Sequence, residues 1–272
     1  MENSIPARRV SFPWRQPPLH WLDGRPGMTH MANALHLLFP PGERWFARAG
    51  HRLLPHVNDP KLIADAKGFM GQEGNHARTH DTFLAVLAAQ GFRLKRVSEA
   101  VERDFDRVGR LLPLKLQIAV ISGVEHYTAA LGRMAFERGM FDGAEPMLRD
   151  LFLWHAAEEL EHKSVAFDLR EATAAGYARR VLGMCIATFG LVVWWTVLGA
   201  ILVAQDRETT AGEVIRDLVR AHRQGKAPWA TVARAFIQYL RPGFHPSQDD
   251  DLHYARAYLA ESPAVVALER GD

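Results

Sequence analysis

The segment 60–90 carries an apolar seam that polar side chains interrupt at its centre. Positions spaced alternately four and three residues apart are Leu62, Ala66, Phe69, Glu73, His76, His80, Phe83 and Leu87. Such spacing is typical of a helix that buries one face against other helices. Glu73, His76 and His80 would therefore point into the core, where an uncompensated carboxylate costs several kcal/mol. The fold must therefore bring a compensating positive charge to these buried side chains.

Two more segments place acidic or imidazole side chains in the same kind of seam. Residues 144–175 give Leu148, Phe152, His155, Glu159, His162, Ala166 and Leu169. Residues 114–138 give Leu114, Ile118, Ile121, Glu125, Thr128, Gly132 and Ala135. A further helix over about 41–54 begins at the Pro40–Pro41 pair, since proline is tolerated at the first helical position. No strand-like alternation persists, so the sequence predicts an all-α chain.

No Lys or Arg lies in the seams to pair with these carboxylates. Divalent metal ions are the remaining positive charges that could compensate them. The motifs Glu73-x-x-His76 and Glu159-x-x-His162 each place both side chains on one helix face. Dinuclear sites of helix bundles combine two such motifs with one glutamate from each of two other helices. Four glutamates also balance the charge of two divalent cations. The predicted metal ligands are Glu43, Glu73, His76, Glu125, His155, Glu159 and His162.

Some of these positions have a second interpretation. A buried hydrogen-bonded network without metal would also place Glu and His side chains in helix seams. Glu43 lies in the first turn of its predicted helix, where the helix dipole favours a carboxylate in any case. His126 could face inward instead of Glu125, although the periodicity favours Glu125.

The histidines beside the two motifs are less sharply defined. His155 lies four residues before Glu159 and could be a ligand or a core histidine bonded to a carbonyl group. His80 lies one turn beyond His76 and could bind metal or hydrogen-bond to a ligand. Glu158 and Glu161 flank the seam, and we expect them in solvent or beside the ligands.

The segment from Val181 to Ala204 has 24 residues and no charge. This exceeds the roughly 20 apolar residues that cross a bilayer as a helix, so it favours membrane contact. The alternative is a helix buried inside the bundle. Cys185 is the only cysteine and excludes an intrachain disulfide, which favours a cytoplasmic location. The net charge of +2 gives no indication of nucleic-acid binding.

These patterns divide the chain into three parts. Residues 1–40 are predicted to be an irregular N-terminal segment, with one short helix near His30 to Phe39. Residues 41–176 form the ferritin-like, di-metal four-helix bundle. Residues 177–272 hold the hydrophobic helix and a C-terminal helical extension, with an amphipathic stretch over 211–224.

Four segments resemble a bacterial family named predicted metal-dependent hydrolases. They are FMGQEGNH (69–76), GVEHYTA (123–129), WHAAEELEHKSVAFD (154–168) and RPGFHP (241–246). The resemblance extends over about residues 20–250 and implies a bound metal. Separately, the spacing His155-x-x-x-Glu159-x-x-His162 resembles the last-helix ligands of di-iron arylamine N-oxygenases. That likeness is local and implies nothing about the substrate.

The ligand pattern favours a non-haem oxidase or oxygenase with two iron or manganese ions and O₂ as co-substrate. Its substrate would be a small molecule, apolar or lipid-like if residues 181–204 contact a membrane. A homodimer and an electron-donor protein are expected partners, and nucleic acid is not. The alternatives are a binuclear metal-dependent hydrolase, in which two metals activate water, and a ferritin-like iron-binding protein without enzymatic activity.

Overall fold

Helices make up most of the chain in the computed structural model, which describes residues 5–262 and 264–266. They are α1 (Pro26–Leu53), α2 (Pro60–Ala89), α3 (Lys95–Leu111), α4 (Leu114–Glu137), α5 (Pro146–His162), α6 (Val165–Ala174), α7 (Tyr177–Gln205), α8 (Ala211–Arg223), α9 (Trp229–Tyr239) and α10 (Leu252–Glu261). The two-residue strands β1 (Arg9–Val10) and β2 (Val265–Val266) pair antiparallel and tie the two ends of the chain together. The predicted all-α class is confirmed.

Helices α1, α2, α4 and the pair α5–α6 surround the polar seam of the sequence. Helix α2 begins where expected, because Asp59 caps it by accepting a hydrogen bond from the Lys61 amide at 2.8 Å. It ends before Gly91, whose φ of +101° suits glycine. Phe69 and Phe83 are buried on the face that also carries the motif residues. The apolar ends of the seam therefore hold its polar centre inside the molecule.

Helix α1 differs from the prediction, because it runs unbroken through Pro40 and Pro41 and begins at Pro26. The helix predicted near His30 to Phe39 is present, but it begins earlier and is continuous with the helix predicted over 41–54, so the boundary expected at residues 40 and 41 is wrong. Two adjacent prolines remove backbone donors over only one turn. The buried residues on both sides of the pair, such as Leu37 and Trp45, hold the helix in one piece.

The predicted helix over 144–175 is two helices, and one helix is absent from the prediction. A turn at Lys163 and Ser164 separates α5 from α6 directly after His162. The buried ammonium of Lys163 donates there to the Asp251 carboxylate and to the Asp249 carbonyl oxygen. Helix α3 lies in a charge-rich stretch to which the sequence analysis assigned no helix. Its apolar face, Val97, Val101, Phe105 and Val108, packs on the core.

Helix α7 contains the uncharged segment and is packed on one side only. Among the described residues it is the one helix long and apolar enough to cross a membrane, judged by length and composition. Only 28% of its most apolar window is buried, so the fully buried alternative is wrong. The inner face packs on α4 and α1, and Trp195 there donates to the Met31 carbonyl oxygen at 2.8 Å. The outer face is apolar and open, with Phe189 72% exposed.

Close contact between α7 and α4 depends on Gly183. A Cβ atom added there would lie 2.5 Å from the backbone of Ala119, whereas one added at Gly190 would meet nothing within 4 Å. Gly183→Ala should therefore lower the free energy of unfolding by about 1–3 kcal/mol. Gly190→Ala should raise it by about 0.5–1 kcal/mol, because alanine favours helix. Urea denaturation of both variants checks the pair, and equal effects would contradict this close packing.

Candidate metal centre

Four helical segments bring the seven predicted ligand residues into one buried cluster. Helix α1 contributes Glu43, α2 contributes Glu73 and His76, α4 contributes Glu125, and α5 contributes the others. None of the seven is more than 3% exposed. The seam periodicity explains this result, because i, i+3 and i+4 positions share one face of a helix. The structure brings all seven together, with none left on the surface.

Within this cluster the candidate ligand atoms form overlapping triads. In each triad the nitrogen and carboxylate oxygen atoms all lie within 4.8 Å of one another. Glu73 belongs to one triad with His76 and to another with His162, so its carboxylate could contribute to either group. The triads found in this part of the described chain are Glu43–His80–His155, His76–His155–Glu159, Glu43–Glu73–His76 and Glu73–Glu125–His162.

His76 is oriented by the residue that precedes the second motif. Its Nε2 lies 2.9 Å from a carboxylate oxygen of Glu158 and donates to it. The other nitrogen, Nδ1, faces Glu73 and Glu159 at 3.7 Å from each. Nδ1 is buried without a hydrogen-bond partner. Carboxylate–histidine pairs of this kind direct an imidazole lone pair at a metal ion.

His162 is oriented in the same way, but with the roles of its two ring nitrogens exchanged. Its Nδ1 donates to the amide oxygen of Gln72 at 3.0 Å. Burial disfavours its charged form, but the carboxylates of Glu159 and Glu125 raise the pKa of His162 well above the usual value, so Nε2 holds a proton that a bound cation would displace. That Nε2 lies 3.2 Å from Glu125 and 3.4 Å from both Glu73 and Glu159. A lone pair facing three carboxylates is repelled unless a proton or a cation lies among them. Each motif histidine is thus held by the residue that precedes the glutamate of the other motif.

His155 is the start of a chain of three buried imidazoles. Its Nε2 faces Glu159 at 2.8 Å, and its Nδ1 lies 2.5 Å from Nε2 of His80. His80 in turn contacts His36, with their Nδ1 atoms 2.7 Å apart. Burial lowers the pKa of His155, and it lowers the pKa values of His36 and His80 well below the usual value. Neutral His80 and His36 fix the ring orientation of His155.

The glutamates have strongly shifted pKa values. Burial, with the charges of neighbouring carboxylates, raises the pKa of Glu43 well above its usual value. Burial raises the pKa values of Glu73 and Glu125 to about 8. Burial alone would also raise the pKa of Glu159, but His162 and His155 bring it well below its usual value. Without a cation, the cluster would therefore hold several protons at neutral pH.

The residues present fit a pair of cations. Both carboxylate oxygens of Glu43, Glu73 and Glu125 are buried without a hydrogen-bond partner. Among the described residues no Lys or Arg forms an ion pair with these glutamates or with Glu159. Buried polar atoms are normally paired, so unpaired oxygens that converge indicate missing cations. Carboxylate and imidazole donors suit iron, manganese or zinc.

The structure also settles several alternatives and adds four residues that contact the cluster: Arg8, His36, Gln72 and Glu158. His126 points away from Glu125, and its Nε2 donates to the Ala235 carbonyl oxygen at 3.0 Å. Glu158 is fully buried and not in solvent. Arg8, from the N-terminal segment, pairs with Glu158 at 3.1 Å and also with Glu161.

Two of these four residues left a signal in the sequence. Gln72 and Glu158 each precede the glutamate of a motif, which is a repeated polar position beside the seam. Arg8 and His36 left none, because tertiary packing alone brings Arg8 to this cluster, and the sequence showed no partner for His36.

Comparison with known proteins gives one match. A family model described as a predicted metal-dependent hydrolase matches residues 6–250. None of the curated proteins and none of the solved structures compared with the chain matches it. The match confirms the resemblance seen in the four sequence segments. Nothing in the comparisons supports the local likeness to arylamine N-oxygenases.

This match corrects the leading functional prediction. Ligand pattern alone favoured an oxidase or oxygenase, and that prediction is contradicted because the matching family is one of hydrolases. O₂ as co-substrate and an electron-donor protein depended on the same prediction and have no support. The hydrolase alternative fits better. Because the match covers residues 6–250 of 272, the chain belongs to the family of predicted metal-dependent hydrolases.

Proposed function

We propose that this protein is a binuclear metal-dependent hydrolase. The observation that carries the proposal is the set of converging carboxylate oxygens without hydrogen-bond partners, beside one unbonded ring nitrogen each of His76 and His162. The proposed ligands are Glu43, Glu73, His76, Glu125, His155, Glu159 and His162. Helices α1, α2, α4 and α5–α6 would form a ferritin-like bundle around the ions, and the arrangement of these helices is compatible with one.

The protein groups have separable roles in such a reaction. When bound, a pair of divalent ions lowers the pKa of water and polarises an ester or phosphoryl group. The carboxylates of Glu73 and Glu159 each lie within 3.7 Å of a ring nitrogen of both motif histidines and would help to hold the ions. Glu158 and Gln72 keep the motif histidines in the tautomer that presents a lone pair. Arg8 forms an ion pair with Glu158 at 3.1 Å and would hold that carboxylate in place beside His76.

The three-part division of the chain is also proposed in a revised form. Residues 26–174 supply every proposed ligand. Helices α7 to α10 would act as an extension that covers the bundle, since α7 packs on α1 and α4 and α10 packs on α5. The N-terminal segment would close the end of the bundle near Arg8.

Metal content and hydrolysis test the proposal together. Purified protein loaded with Mn²⁺, Fe²⁺ or Zn²⁺ should bind about two ions per chain by elemental analysis. It should hydrolyse para-nitrophenyl acetate or para-nitrophenyl phosphate, and chelation should abolish turnover. Glu73→Gln should lose at least one ion and lower kcat/KM by about a hundred-fold or more. Glu137→Gln is the matched control, because Glu137 is exposed on α4, and it should keep the wild-type metal content and kcat/KM.

Two results would contradict the proposal. One is a wild-type protein that binds no divalent ion, and the other is hydrolysis that survives complete removal of metal.

Metal binding should release protons, because the raised pKa values keep carboxyl groups protonated in the metal-free protein. Glu73 and Glu125, with pKa values of about 8, hold protons at pH 7 and must lose them to bind cations. Calorimetric titration in buffers of different ionisation enthalpy should give about two or more protons per chain at pH 7. The number should fall as the pH rises past about 8, where Glu73 and Glu125 lose their protons without metal. Binding without proton release at pH 7 would place these carboxylates outside the ligand set.

We also propose that the outer face of α7 contacts a lipid surface. Leu182, Phe189, Val192, Val193 and Val197 expose between 37% and 72% of their surface along this face. Contiguous apolar surface of this kind marks a contact with lipid or protein. The complete lack of charge over 24 residues favours lipid. Because the inner face packs on α1 and α4, the helix would lie against the bilayer surface.

Vesicle flotation tests this contact. Wild-type protein should float with phosphatidylcholine vesicles, and the double variant Phe189→Glu, Val193→Glu should stay in the soluble fraction. Ile215→Glu on α8, where the side chain is 62% exposed, is the control and should still float. A wild-type protein that stays soluble and elutes as a dimer would show that a second copy covers the face, and lipid contact would be wrong.

A further inference from the structure

An apolar cavity leads from the Glu and His cluster to the surface. It lies between α1, α3, α4 and α7 and has a volume of about 130 Å³, measured as the space open to the centre of a water molecule. Glu43, Glu73, His155 and Glu159 line one end of it. A single water needs roughly 10–15 Å³ on this measure, so the cavity has room for a narrow ligand beside the proposed ions.

Exposure along the cavity shows which end is open. The cluster residues are at most 3% exposed, whereas Asp104 and Phe105 of α3 and Gly190 and Trp194 of α7 are partly exposed. Beyond the cluster, the N-terminal segment covers α2, since Gln72 donates to the Pro6 carbonyl oxygen at 3.0 Å. Among the described residues the mouth therefore lies between α3 and α7, and the cluster occupies the closed end.

The cavity wall offers few hydrogen bonds to a ligand. Its polar side chains away from the cluster already bond within the protein. Trp194 donates to Asp104 at 2.9 Å, Tyr127 and Thr188 share a bond of 2.7 Å, and Thr128 donates to the Glu125 carbonyl oxygen at 3.0 Å. The remaining wall consists mainly of side chains such as Leu35, Leu38, Val108 and Leu191. Such a wall favours hydrocarbon over a polar or charged chain.

We propose that the substrate is an ester carried on a single unbranched hydrocarbon chain, with the chain in this cavity. The proposal rests on the hydrolase function proposed above. The ester group would lie at the closed end beside the cluster, so the group on its far side must be small, as in a methyl ester. Water supplies hydroxyl to the acyl carbon and a proton to the departing alkoxide, giving a long-chain carboxylic acid and a short alcohol.

Binding of the product acid tests the cavity without requiring turnover. Calorimetry on metal-loaded protein should show that dodecanoate, below its micelle concentration, binds at least ten-fold more tightly than butanoate. The ratio should fall at least ten-fold in Gly190→Leu, because the added side chain enters a space where an added Cβ meets nothing within 4 Å. Ala200→Leu puts the same side chain on the exposed face of α7 and should keep the wild-type ratio. Thermal melting confirms that both variants are folded.

Hydrolysis of methyl esters separates this inference from the proposed function. The value of kcat/KM should rise at least ten-fold from methyl butanoate to methyl dodecanoate and lose that rise in Gly190→Leu. If methyl butanoate is hydrolysed but neither affinity nor kcat/KM depends on chain length, the hydrocarbon-chain inference is wrong and the hydrolase proposal stands. If dodecanoate binds with the predicted ratio but no ester is hydrolysed, the cavity binds a chain and the ester-hydrolase assignment is wrong.

Discussion

The burial of four glutamates in one cluster is the constraint on which the rest of the structure depends. Burial raises the pKa values of Glu73 and Glu125 to about 8, so each ionised carboxylate is costly in the absence of a cation. Helices fixed by apolar packing above and below the cluster keep these groups from moving apart into water. Glu158 and Gln72 orient the rings of His76 and His162 so that the second nitrogen of each ring faces the glutamates. A cluster of this kind is stable when positive ions share its centre.

The sequence predicted this cluster because the information is local. A glutamate and a histidine three residues apart share a helix face whatever the rest of the fold does, and Phe69 and Phe83 on the same seam indicate which face is buried. Features that depend on tertiary packing could not be predicted in this way. Arg8 reaches Glu158 across 150 positions of sequence, and the unbroken α1 overrides the local preference of Pro40 to end a helix. Helix α3 had a readable period, in Val97, Val101 and Phe105, that its many charges obscured.

Ligand chemistry could not predict the reaction. Carboxylate and imidazole donors on helices suit ions that activate O₂ and ions that activate water. The difference between the two lies in substrate access, in the electronic properties of the metal and in the source of electrons, none of which the spacing of Glu73 and His76 encodes. Family membership over residues 6–250 carries that information and favours hydrolysis. Geometry then adds what family membership lacks, which is the shape and polarity of the space beside the ligands.

Comparison of α3 with α7 indicates that the open face of α7 has a cause beyond packing. Both helices line the cavity mouth and leave one side exposed. Helix α3 covers its exposed side with charged residues such as Glu99, Glu102 and Arg103, as a solvated helix does. Helix α7 exposes Phe189 and Val193 instead, and it places no charge between Val181 and Ala204. A helix in water gains nothing from that pattern, whereas one that borders both lipid and a hydrocarbon-lined cavity would let an apolar substrate pass from the bilayer to the metal ligands without crossing water.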